Sequence, residues 1–311
     1  MSILQVKDLS RSFGNVKAVD NISFSLEAGS SIGLIGANGA GKTTAMRILT
    51  TLDLPDSGSI EFDGMDAVAF PETVRSRIGW MPDFLDPIGL TTVEEYVDFF
   101  ARAYGLEGDF RVKEVDRVLD FCHITDLRTR YINKLSKGQT QRVNMARMLI
   151  GNPDLLIMDE PAAGLDPQAR IEFKQMVREL QKQGKTLLIS SHILSELAEM
   201  CDSMIFMDKG RIIRQGAQSD LVQSTASGIS LDLRIAGGAD ALQAWVDSRE
   251  GWSNLRAKGD GAYLADFAKD DDTALAAELR DLVQNVPVIE FSRHVRNLEE
   301  AFVDILHGEN A

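Results

Sequence analysis

The stretch that most limits the fold of this 311-residue chain is GANGAGKT, at residues 36–43. It has the spacing G-x-x-x-x-G-K-[ST], and it lies between a short apolar run, SSIGLIG, and a segment with helical spacing, TTAMRILTTL. Glycines at these positions let successive backbone N–H groups turn inward around phosphate oxygens, and the following helix directs the positive end of its dipole there. The order strand, loop, helix therefore predicts an α/β core that binds a nucleotide.

The side chains of this loop would complete a nucleotide site. Lys42 would reach the terminal phosphates, and the Thr43 hydroxyl would be a Mg²⁺ ligand. The predicted nucleotide-binding residues are Gly36, Ala37, Asn38, Gly39, Ala40, Gly41, Lys42, Thr43 and Thr44.

Three further side chains follow short apolar runs that are typical of buried parallel strands. Asp159 and Glu160 end the run DLLIMDE. Burial disfavours the charged form of a carboxylate, so two acids at the end of an apolar strand are costly unless they have a function. Asp159 suits Mg²⁺, often through water, and Glu160 can orient or activate an attacking water. His192 ends KTLLISSH, where a neutral imidazole can hydrogen-bond a γ-phosphate or the water. A solvated strand end and a structural histidine are the alternatives.

Composition narrows the function classes. The formal net charge of −14 argues against a nucleic-acid binder and against docking on anionic lipid by charge alone. No run approaches the roughly 18 apolar residues that span a bilayer, and the N-terminus lacks the apolar core of a signal peptide. We therefore expect a cytoplasmic protein, which another chain would have to carry to a membrane. Cys122 and Cys201 lack metal-ligand spacing and fit buried thiols in a reducing compartment.

The residue patterns predict two domains, residues 1–217 and 218–311. In the first, alternation over residues 3–28 favours an antiparallel β subdomain, and helical spacing over about residues 84–135 favours a helical subdomain inserted in the α/β core. From Gln218 onward, 17 acidic and 8 basic side chains give a net charge of −9. The pattern there is strand–helix–strand–strand–helix–strand, which predicts a small ferredoxin-like α+β domain, followed by a final helix, NLEEAFVDIL.

A second helix start of the phosphate-binding kind occurs at LSKGQ, residues 135–139, ahead of the helical run NMARMLIG. One domain rarely needs two phosphate cradles for one nucleotide. Asn133-Lys134 begins like a guanine-selecting N-K-x-D motif, but Ser136 occupies the position of the aspartate, so a GTPase is not favoured. The chain also lacks a G-x-S-x-G nucleophile elbow.

Over about residues 3–217 the sequence resembles the ATP-binding subunits of ABC transporters. GANGAGKTT resembles the Walker A motif, LSKGQ the ABC signature with Lys137 where the common form has glycine, and IMDEP the Walker B strand with Asp159 and Glu160. AAGLD at residues 162–166 resembles the D-loop and places Asp166 at its usual position. His192 lies at the switch-histidine position. Phe13 lies where the family stacks an aromatic ring on adenine, with a core hairpin residue as the alternative.

The resemblance gives the second helix start a ligand. In this family two ATP-binding domains pair head to tail, and the signature of one grips the γ-phosphate of the ATP held by the other. The resemblance implies that Ser136 and the backbone of Gly138 bond the partner's nucleotide, beside Lys137 and Gln139. Asp83 stands where the family usually has glutamine; a carboxylate there could touch Mg²⁺ or the water, but it only accepts hydrogen bonds.

The implied function is an ATPase that powers a transporter. The NLEEAFVDIL ending resembles that of drug- and polysaccharide-type exporter subunits, which pair with separately encoded integral membrane subunits. The acidic C-terminal domain is then interpreted as dimer support or regulation, with an inert appendage as the alternative. Two other functions stay open: a soluble ABC-type ATPase without a membrane partner, and a nucleotide sensor with little catalysis.

Overall fold

The computed structural model describes residues 2–84, 90–223, 229–269 and 271–294, and the chain divides into two compact units, residues 1–218 and 219–311. The predicted final helix, at residues 297–306, lies outside the described residues, as do residues 85–89 of the predicted helical subdomain. Within the described ranges, no helix combines the length and the apolar character needed to cross a bilayer.

The larger unit contains both strands and helices. Its elements in chain order are β1 (Ser2–Phe13), β2 (Val16–Glu27), β3 (Ser31–Ile35), α1 (Lys42–Leu49), β4 (Ser57–Phe62), β5 (Met65–Asp66), α2 (Pro71–Arg75), β6 (Ile78–Met81), α3 (Val93–Ala103), α4 (Gly108–Phe121), α5 (Lys137–Leu149), β7 (Leu155–Met158), α6 (Pro167–Lys182), β8 (Thr186–Ser191), α7 (Leu194–Ala198), β9 (Ser203–Asp208) and β10 (Arg211–Ala217). Helix α8 (Gln218–Gln223) spans the boundary with the smaller unit.

Two sheets form the frame of the larger unit. The first is antiparallel with the order β2-β1-β4-β5, and its first hairpin turns at Gly14-Asn15. The second has the order β10-β9-β3-β8-β7-β6, in which only the edge strand β10 is antiparallel to its neighbour. Every residue of β3, β7 and β8 is buried, as expected for central parallel strands. The predicted α/β core and antiparallel β subdomain are therefore confirmed.

Parallel pairing brings the carboxyl ends of four strands to one edge of the second sheet. The loop that begins at Gly36 follows β3, Asp83 follows β6, Asp159 follows β7, and His192 follows β8. Ligands of open α/β sheets bind at this edge, outside the carboxyl ends of the strands. Residues up to 156 positions apart in the sequence, Gly36 and His192, are thereby brought to the same side of the sheet.

Helices α3, α4 and α5 form the helical part between β6 and β7. The first of them begins with a capping box, in which the Thr92 hydroxyl accepts from the Glu95 N–H and the Glu95 carboxylate accepts from the Thr92 N–H. Helix α6 begins at Pro167 after its N-cap Asp166, and it ends before Gly184, which has a φ of +79°. A glycine in this left-handed conformation is a common end of a helix.

The smaller unit contains β11 (Ile229–Ile235), α9 (Ala239–Asp247), β12 (Trp252–Gly259), β13 (Ala262–Phe267), α10 (Asp272–Asn285) and β14 (Val288–Arg293). The strands form one antiparallel sheet with the order β12-β13-β11-β14, which together with the element order defines a split β-α-β unit. Its core includes Trp245, Trp252 and Phe267, whose rings contact each other at centroid distances of 5.0 and 5.2 Å.

Candidate nucleotide-binding and catalytic site

The loop between β3 and α1 has two glycines that no other residue could replace without moving the backbone. Gly41, the N-cap of α1, has a φ of +102°, and a Cβ there would lie 2.1 Å from the Ala18 carbonyl oxygen. A Cβ at Gly36 would lie 2.3 Å from the Met207 carbonyl oxygen. No side chain caps α1, so its first N–H groups face the loop. This geometry is a cradle for an anion.

Lys42 joins this loop to the strand ends. Its ammonium is buried; it donates to the Gly36 carbonyl at 2.7 Å and lies 3.3 Å from the Glu160 carboxylate. The exposed tip of the loop, residues 37–39, lies ahead of the buried Ala40. The structure therefore places the lysine where the loop and the carboxylate meet.

Asp159 is buried with two hydroxyl groups against it. The Thr43 hydroxyl donates to Oδ2 at 2.6 Å, and the Ser190 hydroxyl donates to Oδ1 at 2.6 Å. Burial raises the pKa of the Asp159 carboxyl; these two hydrogen bonds oppose the rise, and the negative charges of Asp83 and Glu160 add to it. The carboxylate thus lies in a site where a cation would relieve its dehydration and the repulsion between acids.

Glu160 and His192 form a pair at the same edge. Glu160 has a φ of +44°, an uncommon backbone conformation for a residue with a side chain, and its N–H donates to Ser190 Oγ at 2.9 Å. Its Oε2 lies 2.8 Å from Nδ1 of the half-exposed His192. Because an ionised carboxylate only accepts hydrogen bonds, Nδ1 carries the proton in this pair. The pair can orient a water and share a proton.

Two predicted residues lie at the margin of this cluster. Phe13, at the end of β1, is 48% exposed, and the Arg11 guanidinium lies 4.9 Å from its ring centroid. The alternative of a core hairpin residue is therefore wrong. Asp83 is exposed; its carbonyl accepts from Gln141 Nε2 at 3.4 Å, and its charge acts on Asp159.

The predicted second cradle lies at the start of α5 and is held differently. Ser136 and Gln139 form a capping box: the Ser136 hydroxyl accepts from the Gln139 N–H, and Gln139 Oε1 accepts from the Ser136 N–H. Ser136 is exposed. No hydrogen bond or ion pair within the described ranges connects Ser136, Lys137, Gly138 or Gln139 to the cluster around Lys42.

The start of α5 instead contacts the loop and helix that follow Glu160. A Cβ at Gly138 would lie 2.9 Å from the Ala169 Cβ, and a Cβ at Gly164 would lie 2.5 Å from the Lys137 ammonium nitrogen. Asp166 caps α6 by accepting from the Ala169 N–H at 2.9 Å. The residue that departs from the common signature, Lys137, thus touches the predicted D-loop of its own chain.

Sequence reasoning missed Ser190. Its hydroxyl contacts both the Asp159 carboxylate and the Glu160 N–H, so it fixes the two acids relative to each other. The available signal was the pair of serines that ends the strand TLLISS after three apolar residues, since a buried hydroxyl needs a partner.

Comparison with known proteins identifies the family of the chain. A family model described as ABC transporter matches residues 19–163. The Nod factor export ATP-binding protein I of Ralstonia nicotianae is 33% identical over 99% of this chain and 94% of its own length. The ABC transporter ATP-binding protein NatA of Bacillus subtilis is 36% identical over 72% of this chain and 94% of its own.

A solved structure gives the same result. CbiO1 from Clostridium perfringens, described as part of the ABC transporter complex cbiONQ, superposes with a TM-score of 0.64 at 30% identity over 72% of this chain and 92% of its own. This solved structure shares the fold of most of the chain. The chain is therefore an ATP-binding subunit of the ABC transporter family, whose members hydrolyse ATP.

Proposed function

We propose that two copies of this chain bind ATP head to tail, and that ATP hydrolysis in this dimer drives export through separate integral membrane subunits. The observation that carries the proposal is the division of the site within one chain. Lys42, Asp159, Glu160 and His192 form one connected cluster, whereas Ser136 and its neighbours at the start of α5 contact α6 and each other. The second set would meet the nucleotide of a partner copy.

In each copy the loop of residues 36–44 would hold the phosphates, and the exposed ring of Phe13 would stack on adenine. A hydroxyl and a carboxylate beside each other, Thr43 and Asp159, are the oxygen donors that Mg²⁺ prefers. Mg²⁺ would neutralise phosphate charge when bound. No three His, Cys, Asp or Glu side chains in the described ranges form a metal site, so phosphate and water oxygens would supply the other ligands. The Asp83 carboxylate would touch Mg²⁺ or the water.

Glu160 and His192 would act on the attacking water. A terminal phosphate that reaches Lys42 competes with the Glu160 carboxylate, now 3.3 Å from that ammonium. Glu160 would then be available to accept a hydrogen bond from the water and take its proton. His192, whose Nδ1 donates to Glu160, would direct its other ring nitrogen to the water as an acceptor or, when both ring nitrogens carry a proton, to the γ-phosphate as a donor.

The start of α5 would bind the partner's γ-phosphate. Ser136 and the backbone of Gly138 would donate to it, while Gln139 holds the helix start and Lys137 adds positive charge. Asp166, which caps α6, would keep the D-loop in the shape that faces the partner.

Similarity to named exporters supports the direction of transport. The Ralstonia relative is named for Nod factor export, and its match covers 99% of this chain, including the smaller unit. CbiO1 is described as part of a transporter complex, which supports docking on membrane subunits at the cytoplasmic face. The membrane subunits would select the cargo, and the smaller unit, residues 219–311, would support the dimer or regulate it.

The proposal is tested first by Glu160→Gln. The amide cannot take a proton, so we expect steady-state ATP turnover to fall about 10²- to 10⁴-fold while ATP binding persists and a dimer accumulates in size-exclusion chromatography. Glu179→Gln, on the exposed face of α6, is the matched control and should behave like the wild type. Rapid turnover by Glu160→Gln would contradict the role of Glu160.

The partner is tested by a detergent-solubilised pull-down of the N-terminally tagged chain, with ADP and with trapped ATP. Co-purification of a multi-span membrane protein is the expected result. Recovery of soluble partners alone would favour a soluble ABC-type ATPase. A single-turnover assay that shows binding without hydrolysis by the wild type would favour a nucleotide sensor.

A further inference from the structure

A buried carboxylate lies behind the catalytic pair, and none of the motifs accounts for it. Glu196, on α7, is 4% exposed. Its Oε2 accepts from the Ser191 hydroxyl at 3.2 Å, and its Oε1 lies 3.2 Å from Nε of Arg170 on α6. Burying this carboxylate costs hydration free energy that a packed apolar side chain would not, which points to a role beyond stability.

The Ser191 hydroxyl connects this carboxylate to the backbone that holds His192. Besides donating to Glu196, the hydroxyl accepts from the Ile193 N–H at 3.0 Å. Ser191 and Ile193 lie directly before and after His192 in the chain. The position of Glu196 therefore sets the turn that presents the His192 imidazole to Glu160.

Arg170 connects the same carboxylate to the loop that follows Glu160. A guanidinium nitrogen of Arg170 donates to the Leu165 carbonyl at 3.4 Å, in the predicted D-loop. The preceding residue, Ala169, packs against Gly138 at the start of α5. Arg170 thus lies between the segment that would meet the partner's nucleotide and the turn that carries His192.

We propose that Arg170 and Glu196 are positioning residues, which hold the His192 imidazole against Glu160 and adjust it when the start of α5 moves. Glu196 Oε1 and Arg170 Nε are close enough for an ion pair but do not form a hydrogen bond with each other. A small shift of α6 can therefore tighten or loosen the contact without breaking a directional bond. The inference rests on the proposed catalytic role of His192.

The test is a double-mutant cycle on the full chain, with Glu196→Gln, His192→Ala and the double variant in steady-state and single-turnover ATP assays. We expect Glu196→Gln to lower kcat about tenfold to a hundredfold with a less than about twofold change in KM for ATP, because it displaces the imidazole and leaves the phosphate loop intact. In the His192→Ala background the same change should lower kcat less than about twofold.

Glu199→Gln is the matched control. The Glu199 carboxylate lies 2.9 Å from the Lys174 ammonium, so this pair also joins the region of α7 to α6, but it does not contact Ser191. It should leave turnover unchanged in both backgrounds. Should Glu196→Gln fail to fold, as judged by its melting temperature, Arg170→Met gives a second cycle, and Arg170→Lys should restore part of the lost kcat.

The outcomes separate this inference from the proposed function. His192→Ala with undiminished turnover would overturn the role of His192 and, with it, the inference. A loss in His192→Ala combined with an equal, additive loss from Glu196→Gln in both backgrounds would overturn the inference alone. Unchanged turnover in Glu196→Gln would do the same.

Discussion

The two helix starts that are predicted to bind phosphate, those of α1 and α5, are built in opposite ways. Helix α1 begins after Gly41, with no side chain to cap it, whereas α5 begins after Ser136, which forms a complete capping box with Gln139. Both helices leave N–H groups of the first turn without partners inside the helix. In α1 those groups depend on the ligand of the loop, while in α5 one of them is satisfied by the chain itself.

The difference teaches how one chain can hold one phosphate firmly and another transiently. The uncapped start of α1 gains the most from an anion, because no residue competes for its N–H groups. The capped start of α5 keeps its shape without a ligand, so in the proposed dimer it would meet and leave a partner's phosphate at little cost in folding free energy. That asymmetry fits the cycle of ATP-driven dimer formation and release that we propose.

The largest expected effect comes from a substitution at the uncapped start of α1. Gly41→Ala places a side chain at a φ of +102°, 2.1 Å from the Ala18 carbonyl oxygen, so the loop must move. We expect ATP affinity in a nucleotide titration to fall well over tenfold, since the left-handed conformation alone disfavours alanine by roughly 1–2 kcal/mol. Gly39→Ala, with a φ of +83° in open space, has the strain without the clash and should lose less. Equal losses would contradict the steric argument.

The second variant acts at α5. Gly138 has no positive φ, and a Cβ there would meet only the Ala169 side chain, at 2.9 Å. We expect Gly138→Ala to keep ATP binding by the single chain and to lower steady-state turnover at least about tenfold, because a methyl group hinders the approach of the partner's phosphate. Adding Ala169→Gly should restore the melting temperature but not turnover. Restored turnover would show that Gly138 serves packing between α5 and α6.

The sequence predicts the first helix start better than the second. The glycines of GANGAGKT, at positions 36, 39 and 41, lie in one short stretch of the chain, so their shared role can be deduced from their spacing alone. The strand ends that place Asp159, Glu160 and His192 together also follow from local patterns, because parallel strands share one edge. The fold of the larger unit was predictable for the same reason.

Contacts that depend on tertiary packing were not predictable. Ser190 meets Asp159 across 31 positions of sequence, and Lys137 reaches Gly164 only because α5 and α6 pack start to start. The exposure of Phe13, which decides between a stacking ring and a core residue, is likewise set by what the rest of the chain leaves uncovered. Patterns of apolar residues fix which face is buried, but they do not identify individual neighbours.

A smaller effect distinguishes capping from ligand binding at α5. Ser136→Ala removes the N-cap hydroxyl and should lower the free energy of unfolding by about 1 kcal/mol, while Ser136→Gly should lower it by only a few tenths. If the hydroxyl also bonds the partner's phosphate, both variants should weaken the ATP-dependent dimer equally in analytical ultracentrifugation. If instead the dimer weakens in proportion to the loss of unfolding free energy, so that Ser136→Ala weakens it more than Ser136→Gly does, then Ser136 acts only as a helix cap.

The smallest expected effect concerns the stability that the folded chain loses by burying the ionised Asp159 carboxylate without a bound cation. Burial and neighbouring acids raise the pKa of the Asp159 carboxyl, so the folded state resists its ionisation more than the unfolded state does. The associated stability is fully present below the ordinary aspartate pKa and is lost as the pH rises through the raised value. Without nucleotide or Mg²⁺ at neutral pH, Asp159→Asn should therefore raise the melting temperature, as measured by calorimetry.

The pH dependence and a graded variant make this last prediction specific. The gap between Asp159→Asn and the wild type should shrink as the pH falls toward 4, because the wild-type carboxyl then takes up a proton. Asp83→Asn removes one of the charges that raise the Asp159 pKa and should give a smaller increase in the same direction. A gap that widens in acid would show that the hydrogen bonds from Thr43 and Ser190, rather than burial, dominate the carboxylate. The described contacts of Ser136, at the start of α5, include no buried acid, so Ser136→Ala should show no such pH-dependent gain in melting temperature. The electrostatic cost would then belong to the site beside the uncapped start of α1 and not to the start of α5.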